Sequence, residues 1–114
     1  MDDCIFCKII EGKIPGNFVY KDDEIVAFRD INPLTPTHLL VLPVKHIAAL
    51  TDLAPTDSAL MGNMIAVANK VAKDEGIADS GYRLVVNSGK HAGQLVAHLH
   101  IHVLGGRQMS GNFD

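Results

Sequence analysis

The segment His98-Leu99-His100-Ile101-His102-Val103-Leu104 alternates histidine with aliphatic residues. A period of two is the signature of a β-strand with one buried face. Read as a strand, it sends Leu99, Ile101 and Val103 into a core. His98, His100 and His102 then line the opposite face at intervals of roughly 6.6 Å. Imidazoles titrate near neutrality, donate or accept hydrogen bonds, ligate metals and attack electrophiles. On spacing alone three readings stay open: a solvated sheet face, a metal site using all three imidazoles, or a row of catalytic groups. An affinity tag is a poor fit, because tags are contiguous and terminal whereas core residues interrupt this row.

A length of 114 residues with 47% hydrophobic content and no Trp predicts one domain, residues 1–114, with an aliphatic core. No apolar run approaches the ~20 residues of a membrane helix. The acidic start Met1-Asp2-Asp3 lacks the basic and apolar regions of a secretory leader, so a soluble cytoplasmic protein with no membrane partner is expected. A net charge of -3 argues against a nucleic-acid binder that relies on a basic surface. Local donors on an acidic protein can still hold a nucleotide.

A short helix is predicted over residues 5–11, stopped by Gly12 and the Ile14-Pro15 break. Residues 18–21 and 24–29 read as strands of a hairpin turning at Asp22-Asp23. Two prolines in Asn32-Pro33-Leu34-Thr35-Pro36 make a loop, and an apolar strand follows over 38–42, ended by Pro43. Thr56 is placed to cap a long helix over about 57–75. Its stripe is Leu60, Met64, Ala68, Val71 and Ala72, and Gly76 is its stop. Strands at 82–87 and 96–104 complete the set. One long and one short helix with five antiparallel strands predict a two-layer α+β fold.

Two residue patterns invite chemistry beside the histidine row. Asp30 ends an apolar strand at the mouth of the Pro-rich loop, where a carboxylate can take both hydroxyls of a ribose or merely cap a turn. Cys4-Ile5-Phe6-Cys7 is a C-x-x-C pair. In a cytosolic chain it suggests metal or redox chemistry before a structural disulfide. A thioredoxin-like role requires a βαβ setting that this chain lacks.

The pattern H-φ-H-φ-H-φ-φ, with φ apolar, resembles the defining motif of the histidine triad (HIT) superfamily of nucleotide hydrolases and transferases. Further segments resemble its Hint branch, the purine nucleoside phosphoramidases. They are Phe28-Arg29-Asp30-Ile31-Asn32-Pro33, Pro36-Thr37-His38-Leu39-Leu40-Val41-Leu42-Pro43, Gly81-Tyr82-Arg83-Leu84-Val85-Val86-Asn87, Ala92-Gly93-Gln94 and Gly105-Gly106-Arg107-Gln108-Met109. The likeness runs in order from about Cys4 to Met109.

The resemblance implies the HIT fold, a homodimer paired through the long helix and a sheet edge, and a purine nucleotide as substrate or product. It assigns His100 as nucleophile, pinned by the main-chain carbonyl of His98. His102 would meet the phosphate or leaving group, and His38 would join a proton relay. In the pocket, Asp30 contacts the ribose, Phe28, Arg29 and Ile31 wall the base, and Asn87, Gly93 and Gln94 approach the phosphate. Leu95 stands where many Hint proteins have a Ser that helps protonate the leaving amine. Bacterial relatives with C-x-x-C and a P-x-x-H segment hold a structural zinc, which here would sit on Cys4, Cys7, His46 and His98, a Cys2His2 set. No organic cofactor is implied. Hydrolysis of a nucleoside phosphoramidate through a nucleotidyl-His100 intermediate leads the expectations. A dinucleoside polyphosphate or adenylyl sulfate hydrolase is the runner-up, and a non-catalytic nucleotide-binding or protein-interaction module comes from a different class.

Overall fold

An antiparallel hairpin opens the sheet, because two apolar runs flank a turn that Asp22 can close. β1 (Phe18–Lys21) pairs with β2 (Ile25–Arg29). The Asp22 carboxylate accepts the amides of Glu24 and Ile25 at 2.8 Å each. The structure is a computed structural model that describes residues 3–114. Met1 and Asp2 lie outside the described residues, so the leader reading is not addressed by it. β3 (Thr37–Pro43), β4 (Tyr82–Val85) and β5 (Ile101–Gly105) complete an all-antiparallel sheet of order β1-β2-β3-β5-β4. With one long helix this is the α+β architecture expected from the sequence.

The long helix, α2 (Ser58–Asp74), buries Met64, Val67, Ala68, Val71 and Ala72. These meet Ile25, Ala27, Leu39, Val41, Ile101 and Val103 from one sheet face. Gly76 follows the helix with φ +77°, and its amide bonds the Lys73 carbonyl, a left-handed stop that suits glycine. The start differs from expectation. Thr56 lies in a 3-10 turn, Pro55–Asp57, that runs directly into the helix. Asp57 occupies the cap position, yet its carboxylate turns back to the Ala54 amide and to Lys45. A turn begun at Pro55 already supplies helical geometry, so no side-chain cap from Thr56 is called for.

The short helix, α1 (Ile5–Ile10), packs on the other sheet face. Phe6 and Ile9 cover Val26, Phe28, Leu40 and Leu42 there. Even-numbered residues of β2, β3 and β5 share this face, which carries Asp30, His38, His100 and His102.

β5 begins later than the predicted residue 96. Its ladder starts at Ile101, opposite Val41. The physical reason is Pro43. Proline has no amide to donate, and its carbonyl is taken by the ring of His98 at 2.8 Å. Leu99 bonds the Ile47 carbonyl instead, at 2.6 Å. His98 and His100 therefore precede the paired strand, and both are buried, so the solvated-face reading does not describe them.

Candidate active site and metal centre

The backbone around each histidine decides which ring nitrogen carries hydrogen. His98 faces the Pro43 carbonyl with Nε2, which must donate, so its Nδ1 holds a lone pair. His100 Nδ1 lies 2.6 Å from the His98 carbonyl and donates to it, leaving the Nε2 lone pair free. The Leu34 amide donates to His38 Nδ1 at 3.1 Å, so His38 carries its hydrogen on Nε2. That Nε2–H donates to His102 Nδ1 at 2.9 Å. His102 in turn keeps its hydrogen on Nε2. The arrangement presents one unprotonated nitrogen, on His100, beside one N–H, on His102, whose rings stand 4.9 Å apart.

Burial holds these rings neutral. Desolvation lowers the pKa of His38, His98 and His100 below the usual imidazole value. His102 falls furthest, to about 4, through burial first and then through its neighbours His100 and His38. Asp30 pulls the other way on His38, His100 and His102. One of its oxygens caps the turn, accepting the Asn32 amide at 2.8 Å, and the other lies 3.4 Å from His38 Nε2.

A second constellation sits behind His98. The ligand atoms of Cys4, Cys7, His46 and His98 all lie within 4.8 Å of one another, positioned to bind a metal ion. Cys4 Sγ and Cys7 Sγ approach the same His98 lone pair at 3.4 and 3.5 Å, and Cys7 Sγ is 3.3 Å from His46 Nδ1. Two thiols converging on one lone pair make poor hydrogen-bond partners for it but good co-ligands. Desolvation, and then the neighbouring Cys4, pushes the Cys7 thiol up to about 11. Adjacent thiolates in this pocket need a cation. Asp30, His38 and His102 also cluster closely enough for a metal. There, however, the Leu34 amide forces a hydrogen onto His38 Nε2, the atom that would ligate. That cluster is a hydrogen-bond relay.

The other expected pocket residues divide. Phe28 is buried in edge contact with Phe6 and Phe18. The Arg29 side chain points to the opposite layer, where its guanidinium is bidentate with Glu75 at 2.6 and 2.9 Å. Its side chain is not brought together with the histidines. Ile31 and Leu95 are 89% and 96% exposed. Asn87 is half-buried after β4, and Gly93 adopts φ +80°. The Gln94 side chain ties its own loop, accepting from the Gly89 amide and donating to the carbonyls of Ala48 and Val96. Phe6 was not anticipated: its ring meets His100 at 5.1 Å and His98 at 6.1 Å. Its position inside the C-x-x-C segment was the available signal. A cavity of about 620 Å³ beside Asp23, Lys45, Asp57 and Asn63 contains none of these groups.

Comparison with known proteins agrees with the geometry. The HIT domain family model matches residues 11–109. A purine nucleoside phosphoramidase of Escherichia coli (strain K12) is 47% identical over 108 residues, 95% of this chain and 91% of that protein. The crystal structure of a HIT family hydrolase from Legionella pneumophila superposes with a TM-score of 0.93 at 50% identity, covering 96% of this chain and 97% of that one. A HIT family hydrolase from Clostridium thermocellum gives 0.97 at 42% identity, covering 99% and 98%.

Buried neutral histidines make stability depend on pH. Burial pushes His102 down to about 4, well below the ordinary imidazole value it has in the unfolded chain. In that interval the unfolded chain binds the extra proton, so stability rises with pH. It is complete above the unfolded value and is lost as pH falls toward the folded one. His38 acts in the same direction. Each pKa unit is worth about 1.4 kcal/mol. Urea midpoints should fall from about pH 7 to about pH 5, and His102→Gln should flatten that slope. Equal slopes in the two proteins would remove His102 as a source of the dependence.

Proposed function

The chain belongs to the HIT domain family, and from that premise we propose that it hydrolyses purine nucleoside phosphoramidates through a nucleotidyl-His100 intermediate. One observation carries the reading. The His98 carbonyl holds the hydrogen of His100 on Nδ1, so Nε2 offers a lone pair from a neutral ring. The relative named purine nucleoside phosphoramidase supports the substrate class.

In the first step His100 Nε2 attacks the α-phosphorus as the phosphorus–nitrogen bond breaks. The leaving nitrogen requires one proton. In the second step water attacks phosphorus, releases the nucleoside monophosphate, returns the bond pair to His100 and yields one proton. The His38–His102 pair is the carrier for both transfers, with His102 Nε2–H facing the reaction. An anionic phosphate bound beside the pair favours its charged form and offsets the burial that lowers its pKa. The free oxygen of Asp30 takes the ribose hydroxyls. Ile31 borders the base, and the backbone at Gly93 and Gln94, with Asn87, approaches the phosphate.

Leu95 supports a second reading. It brings neither donor nor acceptor to the leaving group. Leaving groups that depart as anions, as in dinucleoside polyphosphates or adenylyl sulfate, place less demand on proton delivery.

The metal at Cys4, Cys7, His46 and His98 is zinc in this reading. A tetrahedral site with zinc–sulfur of about 2.3 Å and zinc–nitrogen of about 2.0 Å separates S from N by about 3.5 Å. The observed 3.3, 3.4 and 3.5 Å fit that set. Four protein ligands leave no position to activate water, so the metal is structural. A cytoplasmic setting keeps both cysteines available as thiolate ligands. No helix among the described residues is long and apolar enough to cross a membrane. The active unit is a homodimer: β4 leaves an unpaired sheet edge, and α2 exposes Ile65.

Five measurements test these statements. His100→Gly should lower turnover of an adenosine phosphoramidate by at least about a thousandfold, roughly 4 kcal/mol of barrier, while nucleotide binding survives. The same variant should bind a ribonucleotide more tightly than its 2′-deoxy analogue if Asp30 takes the diol. Near-normal turnover would overturn the nucleophile. Light scattering at micromolar concentration should give the mass of two chains, and a one-chain mass contradicts the dimer. Protein purified without added metal or a His tag should contain one zinc per chain by elemental analysis. Cys7→Ser should lower Tm by about 10 °C or more. Zinc near zero after reducing reconstitution would return Cys4 and Cys7 to ordinary thiols.

A further inference from the structure

The nucleophile's hydrogen bond fixes one direction of its ring and leaves others open. The 2.6 Å contact from His100 Nδ1 to the His98 carbonyl sets where that nitrogen lies. It does not by itself stop the ring from swinging about the axis of the bond. Packing must do that. His102 stands against one part of the ring, with centroids 4.9 Å apart and planes at 64°. Phe6 meets it at 5.1 Å with planes at 89°, a T-shaped contact between two buried rings. Phe6 is itself set by an edge contact to Phe28 at 5.6 Å, and Phe28 by one to Phe18 at 5.8 Å.

What holds Phe6 there is a helix too short to hold itself. α1 has six residues, well below the length at which an isolated helix is stable. Cys4 and Cys7 bracket Phe6 in the chain and approach His46 and His98 from other segments. His98 is thus common to the metal set and to the backbone acceptor of His100.

We propose that Phe6 is a positioning residue for His100, clamped between the two cysteine ligands so that the metal centre holds the nucleophile's ring in its attacking orientation. This rests on His100 acting as the nucleophile. Near-attack geometry tolerates little misalignment, so loosening the ring lowers the chemical step and leaves nucleotide binding largely intact.

The test compares Phe6→Leu with Phe18→Leu in the zinc-loaded protein. Both shorten the same aromatic chain, but only Phe6 touches His100. Phe6→Leu should lower kcat on an adenosine phosphoramidate by about tenfold or more, with KM within about twofold. Phe18→Leu should change kcat by less than about twofold. Ring-nitrogen NMR of 15N-histidine-labelled protein gives a readout independent of turnover. His100 should show one Nδ1–H tautomer in the wild type and in Phe18→Leu, and a broadened or mixed signal in Phe6→Leu. Chelating the zinc from the wild type should reproduce the Phe6→Leu spectrum and shrink the kcat difference between those two proteins to within about twofold.

A rise in KM with kcat intact would make Phe6 a substrate contact and overturn the proposal. Equal kcat losses in both variants would overturn it as general loosening. A difference that persists undiminished without zinc would overturn the clamp. Absence of wild-type turnover and of a His100 adduct would instead sink the phosphoramidase reading, and the NMR comparison would still decide whether Phe6 orients the ring.

Discussion

His98 makes three commitments, and the rest of the site follows from them. Its Nε2–H is spent on the Pro43 carbonyl, its Nδ1 lone pair faces two thiols, and its own carbonyl receives the hydrogen of His100. The first sets the tautomer, the second places the ring to ligate a metal, and the third sets the tautomer of its neighbour. The two ring commitments cannot both be met by a side chain that carries only a donor or only an acceptor, whereas the third belongs to the main chain. The same Pro43 contact explains why the paired strand begins at Ile101: a carbonyl given to a ring is withdrawn from the sheet ladder.

The two faces of the sheet divide the labour. Toward α2 the sheet is aliphatic, and the burial of Leu39, Val41, Ile101 and Val103 supplies stability without polar atoms to satisfy. Toward α1, β3 and the segment leading into β5 carry His38, His98 and His100 into surroundings that disfavour charge. Buried polar groups are tolerable only when bonded. Among the described residues no buried side-chain nitrogen or oxygen lacks a partner. Every histidine on this face answers to a main-chain group, to a thiol or to another histidine.

This division explains what could be read in advance. Period-two alternation revealed the sidedness of residues 98–104, because Leu99, Ile101 and Val103 had to share one core. It could not show where pairing begins, since that depends on a carbonyl 55 residues away in the chain. The stripe of α2 was legible from its spacing, whereas its start turned on local 3-10 geometry at Pro55 that outweighed Thr56 as a cap. The metal set was suggested by C-x-x-C, but its assembly needed His46 and His98 from distant segments. Arg29 followed Phe28 in a motif, yet neighbouring strand residues face opposite layers, and Glu75 waits on the far side. Phe6 lies between two cysteines, and its contact with His100 arises only when the short helix folds onto the sheet.

A tension remains built into the site, and it is informative. A good imidazole nucleophile must be neutral, and burial ensures that for His100. A leaving amine needs a proton, and the same burial empties the nearest donor pair of positive charge, His102 most of all. In a protein with Ser at position 95, a hydroxyl could share that task. Leu95 offers no such group, and among the described residues Asp30 is the one carboxylate clustered with His38 and His102 that favours the charged histidine. In the proposed reaction the missing charge therefore arrives with the substrate. Its phosphate would bring the pair an anion at the moment of binding, so the relay would be armed by the molecule it acts on. Such a site would distinguish a bound nucleotide from bulk water before any bond is broken.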